Sequence, residues 1–355
     1  MDVEAVDYDN YTYQYLEDGD LFDTGADSYI QKETLHIISV VIYTLAFVLG
    51  VFGNGIVIWV TAFKIKRTVN SVWVQNLAMA DFVFVLFLPF SIDYVLRDFN
   101  WVFGRNMCKL NAFVCTMNMY ASVLFLTVLS VDRYISLVHF VWSRRERTVP
   151  RAWAVCALIW VSAVFLSVPT LVFRETMQYH GKVMCFNNFH DENIPVAMVR
   201  HMTMVALRTT VGFFLPFLTI TVTAMLLAMK MRQLGIQHVS SFSRMVLAII
   251  LAFFLCWAPF HIFCLMELST YHFYTLHLVL AVGFPLATSL GFFNSCVNPV
   301  LYVLLNKNVR SIIRRSCMNI AKNSLRELNH NVSDTESVSA LASCPPEDLT
   351  VCSRV

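Results

Sequence analysis

The side chains able to do chemistry in this sequence are few, and most stand inside long apolar runs. Asp81 closes the stretch Asn76-Leu77-Ala78-Met79-Ala80-Asp81, where its neighbours offer little hydration. A carboxylate so placed is tolerable only beside a cation, a proton or hydrogen-bond donors. Arg208 poses the converse problem: a guanidinium in an apolar run needs an anionic or carbonyl partner, and its planar fork suits a carboxylate. Two readings stay open for it, an acidic or carbonyl group of a ligand and an internal pair with Glu267. Asp132-Arg133-Tyr134 ends another apolar run with an adjacent acid and base. Ionisable groups at membrane depth are functional candidates by default. No catalytic residue is assigned. Cys115, Cys156, Cys256, Cys264 and Cys296 also lie in apolar runs; their spacings match no zinc site, and they read as small buried hydrophobes.

The elements that must position these groups follow from composition and run length. The 355 residues are 57% hydrophobic and only 14% charged, with mean hydropathy +0.60. Soluble domains average about 45–50% apolar and about 25% charged. The balance puts the chain in a bilayer and excludes a secreted disulfide scaffold, a disordered protein and a nucleic-acid binder. A membrane-crossing helix needs roughly 20 apolar residues. Seven runs qualify, near Leu35–Phe63, Val72–Val95, Met107–Val138, Ala152–Val172, Pro195–Met229, Met245–Leu268 and Leu276–Leu305. They lack two-residue alternation and therefore predict helices, not barrel strands. The expected fold is all-α, a seven-transmembrane-helix bundle over 35–305, with a tail at 1–34, a short amphipathic eighth helix at 306–318 and a regulatory tail at 319–355. With the N-terminus outside, 18 of the 26 Lys and Arg fall on the inner side, as the positive-inside rule requires. Residues 1–35 carry ten of the 24 acids; so polar a segment predicts disorder.

Seven motifs fall in order, each in its own run: Gly53-Asn54, Asn76 to Asp81, Asp132-Arg133-Tyr134, Trp160, Pro216, Cys256-Trp257-Ala258-Pro259 and Asn298-Pro299-Val300-Leu301-Tyr302. Over about residues 35–318 the chain resembles a rhodopsin-like (class A) G-protein-coupled receptor. Trp101-Val102-Phe103-Gly104, Leu88-Pro89, Val141-Trp142-Ser143 with Arg147-Thr148, Phe292-Phe293-Asn294-Ser295-Cys296 and the segment His180 to Phe189 are similar to the chemerin, formyl-peptide and anaphylatoxin branch. The resemblance is greatest to a chemerin receptor.

The resemblance implies a plasma-membrane receptor for a peptide or small-protein, chemerin-like chemoattractant. It would signal through a heterotrimeric G protein of the inhibitory (Gi) class and through arrestin and receptor kinases, against the membrane lipids and without catalysis. Its one implied cofactor is an allosteric Na⁺ at Asp81, with Asn118, Ser122, Asn294 and Asn298 nearby; the alternative there is a protonated Asp81 in a hydrogen-bond network. Cys108 and Cys185 both fall on the oxidising side, where a bridge would pin the loop over the pocket. The pocket is expected between spans three, five, six and seven, at Arg208, Tyr94, Cys115, Thr116, Met119, Asn187, Phe260, His261, Glu267, Phe284, Thr288 and Phe292. Cys115 stands where amine receptors have an aspartate, which argues against a biogenic amine. Activation falls to Asp132, Arg133, Tyr134, Phe253, Trp257, Pro259, Pro299 and Tyr302, with Trp257 one turn below the pocket. The stretch Arg144-Arg145-Glu146-Arg147 reads as a solvated, lipid-facing patch.

Two positions depart from the family: Ala224 stands for a tyrosine eight residues after Pro216, and Phe140 for a proline. They favour an alternative, a scavenger or arrestin-biased receptor with weak G-protein output. A formyl-peptide or anaphylatoxin type is another, and a channel or transporter is opposed by the lack of repeats or a charged pore. Tyr8, Tyr11, Tyr13 and Tyr15 are sulfation candidates, and Asn10 is a glycosylation sequon. Cys317 is a palmitoylation candidate. Ser333, Thr335, Ser337 and Ser339 are phosphorylation candidates, whose phosphates would meet arrestin's basic groove.

Overall fold

The computed structural model describes residues 26–179, 181–189, 193–235, 241–269 and 276–305, with 310–312, 314–315, 318 and 322. Asn10, the four tyrosines, Cys317, and Ser333, Thr335, Ser337 and Ser339 lie outside these residues, as does most of the expected eighth helix. The chain divides into two units, Met1–Asn306 and Lys307–Val355.

Among the described residues of the first unit, seven long helices form a bundle. α1 runs Ala26–Trp59 and continues as a π turn, Val60–Lys64. α2 is Val69–Val85 followed by Leu88–Leu96, broken where Pro89 cannot donate to the preceding turn. α3 is Gly104–Val138 and α4 Val149–Phe173. α5 is Ile194–Thr209, a π turn Thr210–Phe214, then Leu215–Gln233. α6 is Ser241–Ser269 and α7 Leu276–Leu305. A two-turn helix, Phe140–Glu146, joins α3 to α4.

Local sequence explains the starts and breaks. Thr68 caps α2 in a reciprocal box with Ser71, whose N–H donates to Thr68 Oγ1 at 3.2 Å while Ser71 Oγ accepts from Thr68 N–H at 2.8 Å. Pro216 lacks the donor for the carbonyl four residues back, and the π turn just before it absorbs that loss. Among the described residues six helices are long and apolar enough to cross a membrane. α7, 30 residues with Pro285 and Pro299 inside it, is the seventh helix.

The bundle is apolar on both faces. Its centre buries Val123, Phe125, Leu126, Phe253 and Tyr302, yet Phe52, Leu158, Val161, Phe165 and Leu255 lie on its exterior. An exterior this apolar has lipid as its solvent. Buried polar groups then join helix to helix. Asn54 Nδ2 donates to the Ser295 carbonyl at 2.9 Å, tying α1 to α7. Trp160 Nε1 donates to Asn76 Oδ1 at 3.0 Å, tying α4 to α2.

The connection from α4 to α5 is more regular than a loop. Arg174–Tyr179 (β1) and Lys182–Asn187 (β2) pair antiparallel, with Thr176 opposite Cys185. Gly181, at φ +77°, makes the tight turn that the left-handed region requires.

Candidate functional site

At the hairpin end the bundle opens into a cavity of about 710 Å³. The hairpin is held there from both sides. Cys108, at the start of α3, is bonded to Cys185 on β2 with an S–S distance of 1.99 Å. The Trp101 N–H donates to the Val183 carbonyl at 2.7 Å, and the Trp101 indole donates to the Gly104 carbonyl at 2.8 Å. Arg105 forks onto the Glu175 carboxylate. That hydrogen bond holds the Glu175 carboxyl below its ordinary value. The pocket thus has a fixed rim before any ligand arrives.

Eleven of the twelve expected wall residues line this cavity: Tyr94, Cys115, Thr116, Met119, Asn187, Arg208, Phe260, Glu267, Phe284, Thr288 and Phe292. His261 does not. It is buried behind Phe260, its ring 5.0 Å from that of Phe213. One helical step of about 100° separates it from Phe260, and that step turns it into the α5–α6 seam. The cavity also takes in His36 and Tyr43 of α1, a span not expected to line it. Trp257, expected a turn lower, forms part of the cavity wall.

Two guanidiniums face this space. Arg174 opens β1 and is anchored by its own hairpin: it donates to the Cys185 carbonyl at 2.9 Å and to Asn187 Oδ1 at 3.2 Å. Burial pushes its pKa down, with Arg208 adding repulsion. Arg208 lies 5.9 Å over the Phe260 ring and makes no ion pair among the described residues. Among the described residues no Arg208–Glu267 ion pair is seen, and the Glu267 carboxylate sits 3.7 Å from His201. Two cations sharing one wall make the cavity receptive to an anion.

Deeper in the bundle, Asp81 is fully buried. It accepts hydrogen bonds from Asn118 at 3.0 Å and Asn298 at 2.8 Å. Ser122 Oγ lies 3.5 Å from the Asn118 amide nitrogen, and Ser295 Oγ donates to Asn118 Oδ1 at 3.4 Å. The Oδ1 atoms of Asn294 and Asn298 are buried with no hydrogen-bond partner among the described residues. Asp81 thus meets two amide N–H donors, and the Asn298 amide beside it carries an unsatisfied oxygen that a small hard cation next to the carboxylate would use.

At the far end of α3, Asp132 holds two arginines. Arg133 donates to Asp132 Oδ2 at 2.7 Å, and Arg147 spans both oxygens at 2.7 and 2.8 Å. Both arginines also donate to Asn70 Oδ1 at the start of α2.

The family of the chain follows from comparison. The 7 transmembrane receptor (rhodopsin family) model matches residues 53–302. The chain is 40% identical to human Chemerin-like receptor 2 over 326 residues, 91% of this chain and 90% of that one. It is 42% identical to the rat Chemerin-like receptor 2 over 322 residues, 90% and 89% of the two chains. To human Chemerin-like receptor 1 it is 40% identical over 330 residues, covering 87% of each. The chain belongs to the rhodopsin family of seven-transmembrane receptors. Within it, the chain is similar to the chemerin-like receptors.

Membership gives the remaining family motif residues a common frame. Phe253 is fully buried and its ring lies 6.2 Å from that of Trp257, one turn away on α6. Pro259 interrupts the α6 ladder just above them. Pro299 packs against Gly53, where an added Cβ would come within 2.7 Å of the proline ring. The Tyr302 hydroxyl is buried with no partner among the described residues. Ala224 and Phe140 are exposed on the bundle surface, and the Tyr134 ring meets His139 edge-on at 6.3 Å.

Sequence reasoning overlooked Arg174, Asn70, Arg147 and Ser295. Arg147 in particular is no solvated surface charge; only Arg144 and Arg145 of that stretch stand exposed. Two guanidiniums on the half-buried Asp132 keep N–H donors to spare, and Asn70 Oδ1 accepts one from each. Arg174 carried one signal: an arginine placed directly at the end of a span, where a lipid-facing cation would instead reach for the interface.

Proposed function

We propose that the protein is a plasma-membrane receptor for a peptide or small-protein chemoattractant of the chemerin type, with its N-terminus outside and C-terminus in the cytoplasm. One observation carries this reading: a 710 Å³ cavity under a pinned hairpin, with Arg174 and Arg208 on its wall. A peptide's free end fits such a space, its carboxylate meeting two guanidiniums while aromatic walls take apolar side chains. The acidic, tyrosine-rich tail, with sulfation at Tyr8, Tyr11, Tyr13 and Tyr15 and glycosylation at Asn10, would first capture the basic body of a small protein.

The transduction step is nucleotide exchange on a partner G protein of the inhibitory class; the receptor itself performs no catalysis. Agonist shifts the bundle by differential affinity for two states. α6 swings about Pro259, and Arg133 exchanges Asp132 for the G protein. Na⁺ held by Asp81, Asn118, Ser122, Asn294 and Asn298 favours the closed bundle. Receptor kinases then act on Ser333, Thr335, Ser337 and Ser339, and arrestin binds the phosphates. Palmitoylation of Cys317 would add a lipid anchor to the cytoplasmic tail.

A second reading is favoured by one feature. Among the described residues the Tyr302 hydroxyl has no partner, and Ala224 cannot provide one in the active bundle. Weak G-protein output with preserved arrestin recruitment follows. Radioligand competition on surface-expressed receptor, with chemerin, formyl and anaphylatoxin peptides each as free acid and C-terminal amide, tests the main reading. Saturable binding of a free acid, lost on amidation, is the expected result. Equal affinity of acid and amide for every peptide would overturn it.

A further inference from the structure

Arg174 and Arg208 line the same cavity, and every contact either makes among the described residues is with a neutral group. The three nitrogens of the Arg174 guanidinium each donate once, to the Cys185 sulfur at 3.3 Å, to Asn187 Oδ1 at 3.2 Å and to the Cys185 carbonyl at 2.9 Å. A guanidinium carries five N–H groups, so two remain, one on each terminal nitrogen. Arg208 has the Phe260 ring at 5.9 Å and the Cys264 thiol beside it. The two cations are near enough to repel one another.

The described lining includes one carboxylate, Glu267, which lies 3.7 Å from His201. Even counted in full it offsets only one of the two guanidiniums. A positive surplus of at least one charge stays on the wall, among Phe260, Phe284 and Phe292. Beside apolar rings the pull of that surplus on a counter-ion is screened less than in water. Taking an ion out of water is costly, and the cost climbs with its charge. A monovalent halide balances the surplus at the smallest such cost, whereas phosphate brings more charge and tighter hydration. Tyr94 adds a donor to the same wall: its oxygen accepts the Cys185 N–H at 3.4 Å, which leaves the phenol proton to give.

We infer that Arg174, Arg208 and Tyr94 form a chloride site in the peptide-free receptor, and that a ligand carboxylate enters by displacing the ion. The ion follows from the charge of the wall; its displacement rests on the reading of this cavity as the seat of a peptide's free end. Chloride is then a competitive brake on free-acid ligands alone, because an amide brings no charge to exchange. The effect follows the anion of the medium and is separate from the Na⁺ effect proposed at Asp81.

The test uses the full-length receptor in phosphatidylcholine nanodiscs, with sodium and ionic strength held constant. The first measurement is the chlorine NMR line width over the peptide-free receptor. The receptor is expected to broaden the line, and added bromide to reverse the broadening. Arg174→Gln and Arg208→Gln should each reduce it about tenfold, as the loss of one partner of a charge pair implies. Arg208→Lys should retain part of it. Arg97→Gln, at an exposed pair with Asp93 outside the cavity, should leave it unchanged. The second measurement is competition binding of a chemerin peptide, as free acid and as C-terminal amide, in chloride and in fluoride, whose tighter hydration keeps it in water. Fluoride is expected to raise the affinity of the free acid about tenfold and to leave the amide nearly unmoved, with the contrast gone in Arg208→Gln. Melting curves confirm that each variant is folded before either signal is read. Broadening that survives both Gln variants would overturn the site, as would phosphate displacing chloride more effectively than bromide does. Broadening at these arginines with the same free-acid affinity in both salts would overturn the displacement. A receptor that binds chloride there but neither form of the peptide would keep the ion site and refute the peptide reading instead.

Discussion

Asp81 and Arg208 are both charges that an apolar bundle cannot leave bare, and each resolves the problem differently. Asp81 is met from within, by Asn118 and Asn298, with oxygens to spare. If those oxygens hold Na⁺ in the closed bundle, replacing NaCl by a large organic cation salt raises agonist affinity, and Asp81→Asn makes affinity independent of the salt. Competition binding in the two buffers measures this; a wild type indifferent to the swap refutes the sodium reading. Arg208 has its ring contact with Phe260 but no carboxylate among the described residues. Arg208→Ala is expected to weaken a free-acid peptide by roughly 2–5 kcal/mol, the cost of stranding one partner of a buried charge pair. The amidated peptide should lose much less on the same substitution. Additive losses across that double-mutant cycle would place the partner of Arg208 inside the protein.

Among the elements, the hairpin and the α1–α7 seam carry the most consequence for the site. The hairpin has only two strands and marginal stability by itself. The Cys108–Cys185 bond and the Arg105–Glu175 fork hold it in place. Cys108→Ala is expected to abolish measurable ligand binding at matched surface expression, because Arg174 rides on β1 and loses its fixed position. Unchanged affinity in a saturation assay would show that the other rim contacts suffice. The seam is tight for a different reason: Gly53 leaves no room for a Cβ against the rigid ring of Pro299. Gly53→Val should lower stability by about 1–3 kcal/mol, the usual cost of overpacking a close contact. A thermal melt of the purified receptor reads it directly, and an unshifted midpoint would mean that α1 moves aside.

For the whole molecule the question is how the two ends communicate. The cavity and the Asp132 cluster lie at opposite ends of α3, joined by the buried column of Trp257, Phe253 and Tyr302. At the foot of that column stands a phenol without a partner among the described residues, and Ala224 offers it none. A shift of 1.4 kcal/mol changes a two-state population ratio about tenfold. Wild type is therefore expected to show low basal and low maximal nucleotide exchange, with arrestin recruitment better preserved. Ala224→Tyr should raise exchange, its ring swinging inwards from the bundle surface to meet Tyr302. Phe140→Pro, alone and combined, checks whether the α3–α4 connection limits the same step. Exchange assays at matched expression decide; a wild type already strong, with no gain from either change, would show that the missing tyrosine is compensated elsewhere.

Sequence alone determined the spans and the residues that break their apolarity. Hydropathy over 20 residues is a local property, and a charge inside such a run is conspicuous wherever the chain folds. Asp81 and Arg208 were legible for that reason, and Cys108 with Cys185 because both fall on the oxidising side. The tertiary structure decided partners and facing. Whether Arg208 meets Glu267 depends on how α5 and α6 rotate against one another, and that rotation gave Glu267 to His201. The same geometry turned His261 away from the cavity and brought Asn70 and Arg147, 77 residues apart, onto one carboxylate cluster. Arg174 reads locally as a boundary charge. Only the hairpin's register, folding β1 back over the bundle, makes it part of the pocket wall.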